Sequence, residues 1–215
     1  MPLFALGNEI VFPPVQLSEP DGLLAMGGDL STERLLLAYR SGIFPWFDGN
    51  TPLWWSPDPR FVLFPTELKV SKSMKQVMKK EAFEFRVDTD FAGVINNCKT
   101  APRKDQDGTW ITNEVKDAYI RLHQLGYAHS AETWLNGELA GGCYGVRMGH
   151  VFFGESMFSK TANASKFAFI NYVQLLQQHN VQLIDCQVYT AHLESLGAKM
   201  IARNEFIGLV DTLIT

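Results

Sequence analysis

The stretch Gly42–Arg60, GIFPWFDGNTPLWWSPDPR, constrains the fold more than any other part of the chain. It carries three of the five tryptophans, Trp46, Trp54 and Trp55, interleaved with Pro45, Pro52, Pro57 and Pro59. Proline removes a backbone donor and clashes with the turn before it, so no regular helix runs through here. Large rings are therefore held on a stiff, irregular backbone. Two uses fit: a plug joining two layers of a core, or a stacking surface for a ring-shaped ligand. Aromatic residues dominate core burial, which makes the plug the default from this segment alone.

With 215 residues, 46% of them hydrophobic, the chain has room for one large domain or two small ones around a real core. No apolar run approaches the roughly 20 residues that span a bilayer. The start, MPLFALGNEIVFPPV, lacks the basic opening and small-residue cleavage pattern of a signal peptide. Cys98, Cys143 and Cys186 are odd in number and widely spaced, which argues against a disulfide framework or a zinc site and for a reducing compartment. The expectation is a soluble cytoplasmic protein with no metal and no membrane contact. A net charge of −4 argues against indiscriminate coating of nucleic acid. One local exception stands out. From Lys69 to Lys80 there are five lysines and no acid. With Ser71 or Ser73 as a helix cap, Lys72, Lys75 and Lys79 share one face and Met74, Val77 and Met78 the opposite one. The plain reading is a solvated face; the functional one is a strip for phosphate contacts.

Residues 1–60 are rich in Pro and Gly, with one clear helix between a Ser31 cap and a Gly42 stop. The Gly27–Gly28 pair before it reads as a tight turn, not a phosphate cradle. From about Arg60, helices and strands alternate. The pattern predicts a strand over Phe83–Val87, a helix from Asp90 and a helix over Asn113–Leu125. Strands follow near Ala128–Leu135, Glu138–Arg147 and His150–Phe158, joined by Asn136–Gly137 and Met148–Gly149 turns. A long helix over Ala164–His179, a strand over Gln182–Tyr189 and a short helix over Ala191–Leu196 complete the pattern. This order indicates an α+β fold, with a small domain over residues 1–62 and a sheet domain over residues 63–215.

Three places carry candidate chemistry. In the late strand LIDCQVY, side-chain alternation puts Asp185 and Gln187 on one face and Ile184, Cys186 and Val188 on the other. A carboxylate one pleat from an amide suits a hydrogen-bond relay, or a half-solvated edge. Glu155 lies in the apolar run Val151–Phe158, sharing a face with Phe153 and Met157, where a carboxylate is costly unless paired or ligand-bound. In GTWIT, Trp110 follows the polar loop RKDQDG just before a helix cap, as a loop anchor or a ligand contact.

GIFPWF, WWSPDPR, GTWIT, YGV, GESMFS, NASK, LIDCQ and SLGA, in this order and spacing, resemble the leucyl/phenylalanyl-tRNA–protein transferase family over most of the chain, from about Pro20 to Ala202. The resemblance implies transfer of Leu or Phe, with Met tolerated, from aminoacyl-tRNA to the α-amino group of proteins beginning with Arg or Lys. This marks them for N-end rule degradation. It also implies a small N-terminal domain followed by a mixed, largely antiparallel sheet domain resembling the GCN5-related acetyltransferase fold, acting as a monomer. By the same resemblance, Asp185 and Gln187 match a catalytic relay in which the carboxylate polarises the amide. Trp46 and Trp110 match positions holding the terminal adenosine, with Glu155 beside it. Cys143, Phe152, Met157, Phe169 and Tyr172 match positions of an aminoacyl pocket. Lys72, Lys75, Lys79 and Lys80 fall where the acceptor stem is contacted.

The chemistry is consistent with those residue types. An aminoacyl-tRNA is an activated ester, so neither metal nor cofactor is required. A protein α-amine, with a pKa near 7.7–8.0, is about one-tenth neutral at pH 7, so the enzyme has to position it and remove a proton. No GxSxG and no Cys–His pairing is evident, and Cys186 points away from Asp185 and Gln187. Two rivals are weaker. An acyl-CoA acetyltransferase would need a glycine-bearing pyrophosphate loop, where this chain has SKTANASK. A non-catalytic tRNA-binding module would leave Asp185 and Gln187 idle.

Overall fold

The computed structural model describes residues 3–80, 82–101 and 111–214. Two sheets organise them. The first is built from β1 (Phe4–Leu6), β2 (Leu23–Gly27), β3 (Phe44–Pro45) and β4 (Leu53–Trp55) in the order β1-β2-β4-β3, with α1 (Thr32–Arg40) between β2 and β3. Ser31 caps α1 by accepting from Arg34 N, as its sequence predicts. These strands are two to five residues long and lack alternation, which is why the sequence displays only the helix.

β5 (Arg60–Leu63) leaves the Trp/Pro stretch and enters the second sheet. Then follow α2 (Lys72–Lys79), β6 (Glu84–Val87), α3 (Phe91–Thr100), α4 (Asn113–Gln124), β7 (Ala128–Leu135), β8 (Glu138–Met148) and β9 (Val151–Ser159). The chain continues through α5 (Ala164–Gln178), β10 (Leu183–Gln187), α6 (Ala191–Glu194), β11 (Lys199–Ile201) and α7 (Arg203–Leu213). The seven strands run β11-β5-β10-β9-β8-β7-β6, antiparallel throughout except for the parallel β9–β10 pair. This is an α+β fold, as the element order indicates, with the mixed, largely antiparallel sheet that the family resemblance implies. β5, β11 and α7 lie outside the sequence reading. β5 is buried on both faces, with Phe61 and Leu63 in one core and Val62 in the other, so it shows no alternation.

Each face of the large sheet carries a core. On one, α3, α4 and α7 pack together with α1 and the first sheet, and Trp54 is fully buried there. On the other, α2, α5 and α6 cover Phe61, Phe152, Ile184 and their neighbours. The lysine helix behaves as its pattern predicts: Ser71 Oγ accepts from Met74 N, Met74 is buried, and Lys72, Lys75, Lys79 and Lys80 are exposed.

The parallel pair is short, and this matters most for function. β9 and β10 pair only from Val151–Leu183 to Phe153–Asp185. Beyond that point each strand carries an irregularity, β9 where it faces Tyr144–Gly145 and β10 between Asp185 and Gln187. A bulge bends its strand and breaks the ladder. The two strands part, and a gap opens in the middle of the sheet.

Candidate functional site

That gap is a cavity of about 400 Å³. Gly154, Glu155, Ser156 and Met157 of β9 line one side, and Cys186, Gln187 and the following Val188 the other. Cys143, Phe152, Phe169, Ile184 and Leu193 make an apolar end, while Phe44, Pro45 and Trp46 reach over from the first sheet. Two patterns read from the sequence change here. Plain alternation put Glu155 on one face with Phe153 and Met157. The bulge shifts the phase, so Phe153 enters the first core and Met157 the second, with Glu155 between them. Similarly, Asp185 and Gln187 do not stand one pleat apart on a regular strand, because Gln187 has φ of +64°.

The turn is fixed by a buried ion pair. Arg60 Nε and Nη2 donate to Asp185 Oδ1 and Oδ2 at 2.8 and 2.7 Å, and both side chains are essentially inaccessible. Arg60 also donates from Nη1 to Gly42 O, and its guanidinium lies between the rings of Phe44 and Phe206, 4.7 and 4.5 Å from their centroids. With its charge compensated, Asp185 accepts from the Gln187 main-chain N–H at 2.9 Å, which holds the left-handed residue in place. Asp185 thus meets Gln187 at the backbone. The carboxyl group on the Gln187 side-chain amide is that of Glu155: Gln187 Nε2 donates to Glu155 Oε1 at 2.9 Å.

Glu155 closes a triangle with two tyrosines. The Tyr39 hydroxyl lies 2.8 Å from Oε1, the Tyr119 hydroxyl 2.9 Å from Oε2, and the two hydroxyl oxygens lie 2.5 Å apart. Three edges of that length need three protons. Two tyrosines supply only two, since burial and the adjacent Glu155 hold both phenols well above their ordinary range. With an ionised carboxylate taking both, the hydroxyl oxygens would face each other at 2.5 Å with no hydrogen between them. The third proton sits on Glu155. Burial, partly reinforced by the Asp185 charge, moves its pKa from 4.5 to about 8 against the opposing hydrogen bonds, so at pH 7 it is a neutral acid. Two circular arrangements then satisfy all three edges: the carboxyl O–H donates to Tyr119, Tyr119 to Tyr39 and Tyr39 to Oε1, or the same ring runs the other way.

The opening stretch divides by ring. Trp54 is a plug: fully buried, with Nε1 donating to Gly27 O at 2.9 Å. Trp46 is 37% exposed and faces the cavity. Trp55 backs it, with ring centroids 5.6 Å apart and Trp55 Nε1 donating to Trp46 O at 2.6 Å. Of the proposed aminoacyl-pocket residues, Cys143, Phe152, Met157 and Phe169 line the cavity. Tyr172 stands behind Phe152, edge-on with centroids 5.1 Å apart. Trp110 lies outside the described residues. The lysines of α2 sit on the helix layer over the second core, away from the lining. Sequence reading overlooked Arg60, Tyr39 and Tyr119. Arg60 was legible only as the end of DPR, and both tyrosines as ordinary inward positions on amphipathic helices.

Neither thiol in the cavity is a ready nucleophile: burial pushes Cys143 up to about 12 and Cys186 higher still. Among the described residues no group of three His, Cys, Asp or Glu side chains is arranged to hold a metal. An apolar chamber beside a neutral acid and a fixed amide suits a substrate that arrives already activated, which is the situation of an acyltransferase.

Comparison with known proteins gives the family. The model described as "Leucyl/phenylalanyl-tRNA protein transferase" matches residues 62–211, and that of the corresponding N-terminal domain matches residues 28–58. Curated proteins named leucyl/phenylalanyl-tRNA–protein transferase are similar along nearly the whole chain. The protein from Syntrophobacter fumaroxidans is 57% identical over 98% of this chain and 90% of its own. That from Flavobacterium johnsoniae is 51% identical over 98% of this chain and 100% of its own. Among solved structures, a GCN5-related N-acetyltransferase from Kribbella flavida overlaps 78% of this chain and 60% of its own, at 9% identity and a TM-score of 0.43. L-PGS from Bacillus licheniformis overlaps 78% and 54%, at 13% identity and 0.44. Those two overlaps are partial and remote. The chain belongs to the leucyl/phenylalanyl-tRNA–protein transferase family, whose members are aminoacyl-tRNA–protein transferases.

Proposed function

We propose that this protein moves Leu or Phe, and less readily Met, from aminoacyl-tRNA to the α-amine of proteins beginning with Arg or Lys, in the cytoplasm, as a monomer, feeding N-end rule degradation. The two domains divide the work: residues 1–62 supply the Trp46 wall, and residues 63–215 supply the cavity. The observation that carries the reading is the parting of β9 and β10, which places an apolar chamber directly against the Glu155–Gln187 pair. In the chamber, Cys143, Phe152, Met157 and Phe169 take the aminoacyl side chain, with Tyr172 bracing Phe152. Trp46, with Trp110, stacks on the terminal adenosine, a contact of about 1–3 kcal/mol that does not depend on sequence. Lys72, Lys75, Lys79 and Lys80 contact phosphates and add salt-dependent affinity.

In this reading the ester is already activated, and residues of the chain position the attack. Glu155, neutral and fixed by two tyrosines, accepts the Gln187 Nε2–H. The amide oxygen of Gln187 is then the atom available to the incoming neutral amine. Asp185 acts on Gln187 through its backbone and is a positioning residue. No described helix is long and apolar enough to cross a membrane, in keeping with soluble substrates.

The test is incubation with radiolabelled Leu-tRNA and peptides differing only in the first residue. Label should enter peptides starting with Arg or Lys and not those starting with Glu. Label in neither, from protein that binds Leu-tRNA, would overturn the transfer reading.

A further inference from the structure

Two side chains, one in the cavity wall and one a helical turn from it, bear on how an RNA strand from the lysine strip on α2 would reach the cavity. Lys69 N donates to Leu196 O at 2.8 Å, so the approach to α2 runs beside the end of the α6 segment, and α2 packs on α5. α6 carries His192, which lines the cavity. Its Nε2 is buried and meets no hydrogen-bonding partner. A buried polar atom left unpaired is costly, and one at a cavity wall points to a ligand that completes it. In the first turn of α5 stands Lys166, half-buried and without an ion pair among the described residues. It stands one helical turn before Phe169, which lines the cavity together with His192, and its charge, after burial as the larger cause, lowers the His192 imidazole below its ordinary range.

The two carboxyls facing the cavity do not oppose an anion here. Asp185 is neutralised by Arg60, and Glu155 holds a proton. A lysine without an acid beside an imidazole with an empty hydrogen-bonding position has the complement of a phosphodiester. Lysine gives the charge, and neutral imidazole gives one N–H.

We propose that Lys166 and His192 form a phosphate-binding step at the cavity mouth, taking a phosphodiester of the single-stranded 3′ end and joining the α2 strip to the aminoacyl site. This rests on the aminoacyl-tRNA reading above. It assigns the two residues different duties: Lys166 carries the electrostatic, salt-sensitive part, and His192 a directed hydrogen bond.

The experiment compares two probes of known chemistry. One is adenosine carrying leucine through a stable 3′-amide, which has no phosphate. The other is the CCA trinucleotide carrying the same 3′-leucylamide. Affinity is measured by calorimetry from 50 to 300 mM salt. With wild-type protein the trinucleotide should show a salt slope and the nucleoside almost none. Lys166→Gln should lower the trinucleotide slope by about 0.7, the value for one phosphate on a single strand, while Lys166→Arg retains it. His192→Gln should weaken the trinucleotide without altering its slope. Nucleoside affinity should be the same in both Lys166 variants, and His192→Gln should cost the trinucleotide more than the nucleoside. An unchanged slope in Lys166→Gln, or equal losses for both probes, overturns the assignment while leaving the aminoacyl site intact. If wild-type protein binds neither probe, the aminoacyl-tRNA reading falls and this assignment falls with it.

Discussion

Replacing Glu155 with Gln should remove one titration from the protein and little else. The reasoning starts from the triangle with Tyr39 and Tyr119, which closes only when the carboxyl carries a proton. A neutral amide mimics that acid, since its N–H donates to Tyr119 and its oxygen accepts from Tyr39 and Gln187. The acid binds its proton more tightly when folded, at about 8, than when unfolded, near 4.5. For a carboxyl displaced upward, folding stability is complete below the unfolded value and is lost as pH rises through the interval, levelling above the folded value. One proton corresponds to about 1.4 kcal/mol per pH unit. Between pH 5 and 7 the wild type should therefore lose on the order of 2–3 kcal/mol relative to Glu155→Gln. Urea denaturation at pH 5, 6, 7 and 8 measures the difference, and subtracting the variant cancels histidines elsewhere. The two proteins should be nearly equal at pH 5 and diverge steadily to pH 8. Parallel curves, or a wild type that gains stability with pH relative to the variant, would refute a protonated Glu155.

Other perturbations follow from the same geometry. Arg60→Met leaves the Asp185 charge buried without a partner and should cost about 3–5 kcal/mol, read by thermal unfolding, whereas the double variant Arg60→Met with Asp185→Leu should recover part of it. Trp46→Ala should weaken a leucyl-adenosine analogue by roughly 1–3 kcal/mol with little change in melting temperature. Trp54→Ala should do the reverse, destabilising the fold by about 3–5 kcal/mol, and equal effects of the two would refute the division of the rings. Gly145→Ala places a methyl 2.1 Å from the Phe153 carbonyl and 2.5 Å from the Phe152 ring. It should be strongly destabilising, and in any folded fraction it should reduce binding of large aminoacyl side chains, since Phe152 walls the chamber.

Much of the second sheet was legible in the sequence because its signals are local. Ser31, Ser71 and Asp90 cap where they stand, the Asn136–Gly137 turn joins the strands it separates, and the apolar faces of α2, α3 and α4 recur at helical spacing. The family motifs likewise named Asp185, Gln187, Glu155 and Trp46, and these do converge on one cavity. What was not legible depends on partners distant in sequence. Arg60 finds Asp185 across 125 positions, and Tyr39 finds Glu155 across 116. No local pattern marks either. The two bulges mattered more: side-chain alternation assumes an unbroken ladder, so it placed Phe153 and Met157 on one face where the structure gives them to different cores, and it spaced Asp185 and Gln187 as a regular pleat where the structure turns the chain between them. The ring-by-ring division of the opening stretch also needed the fold, because Trp54 and Trp55 are neighbours in sequence with different surroundings.

The most direct test of the account is a crystal structure with a stable leucyl-adenosine amide. The account predicts the leucine side chain among Cys143, Phe152, Met157 and Phe169, the adenine against Trp46, and the amide carbonyl within reach of Gln187. The ligand seated elsewhere, or bound in the cavity with its leucine turned away from Phe152 and Phe169, would contradict it.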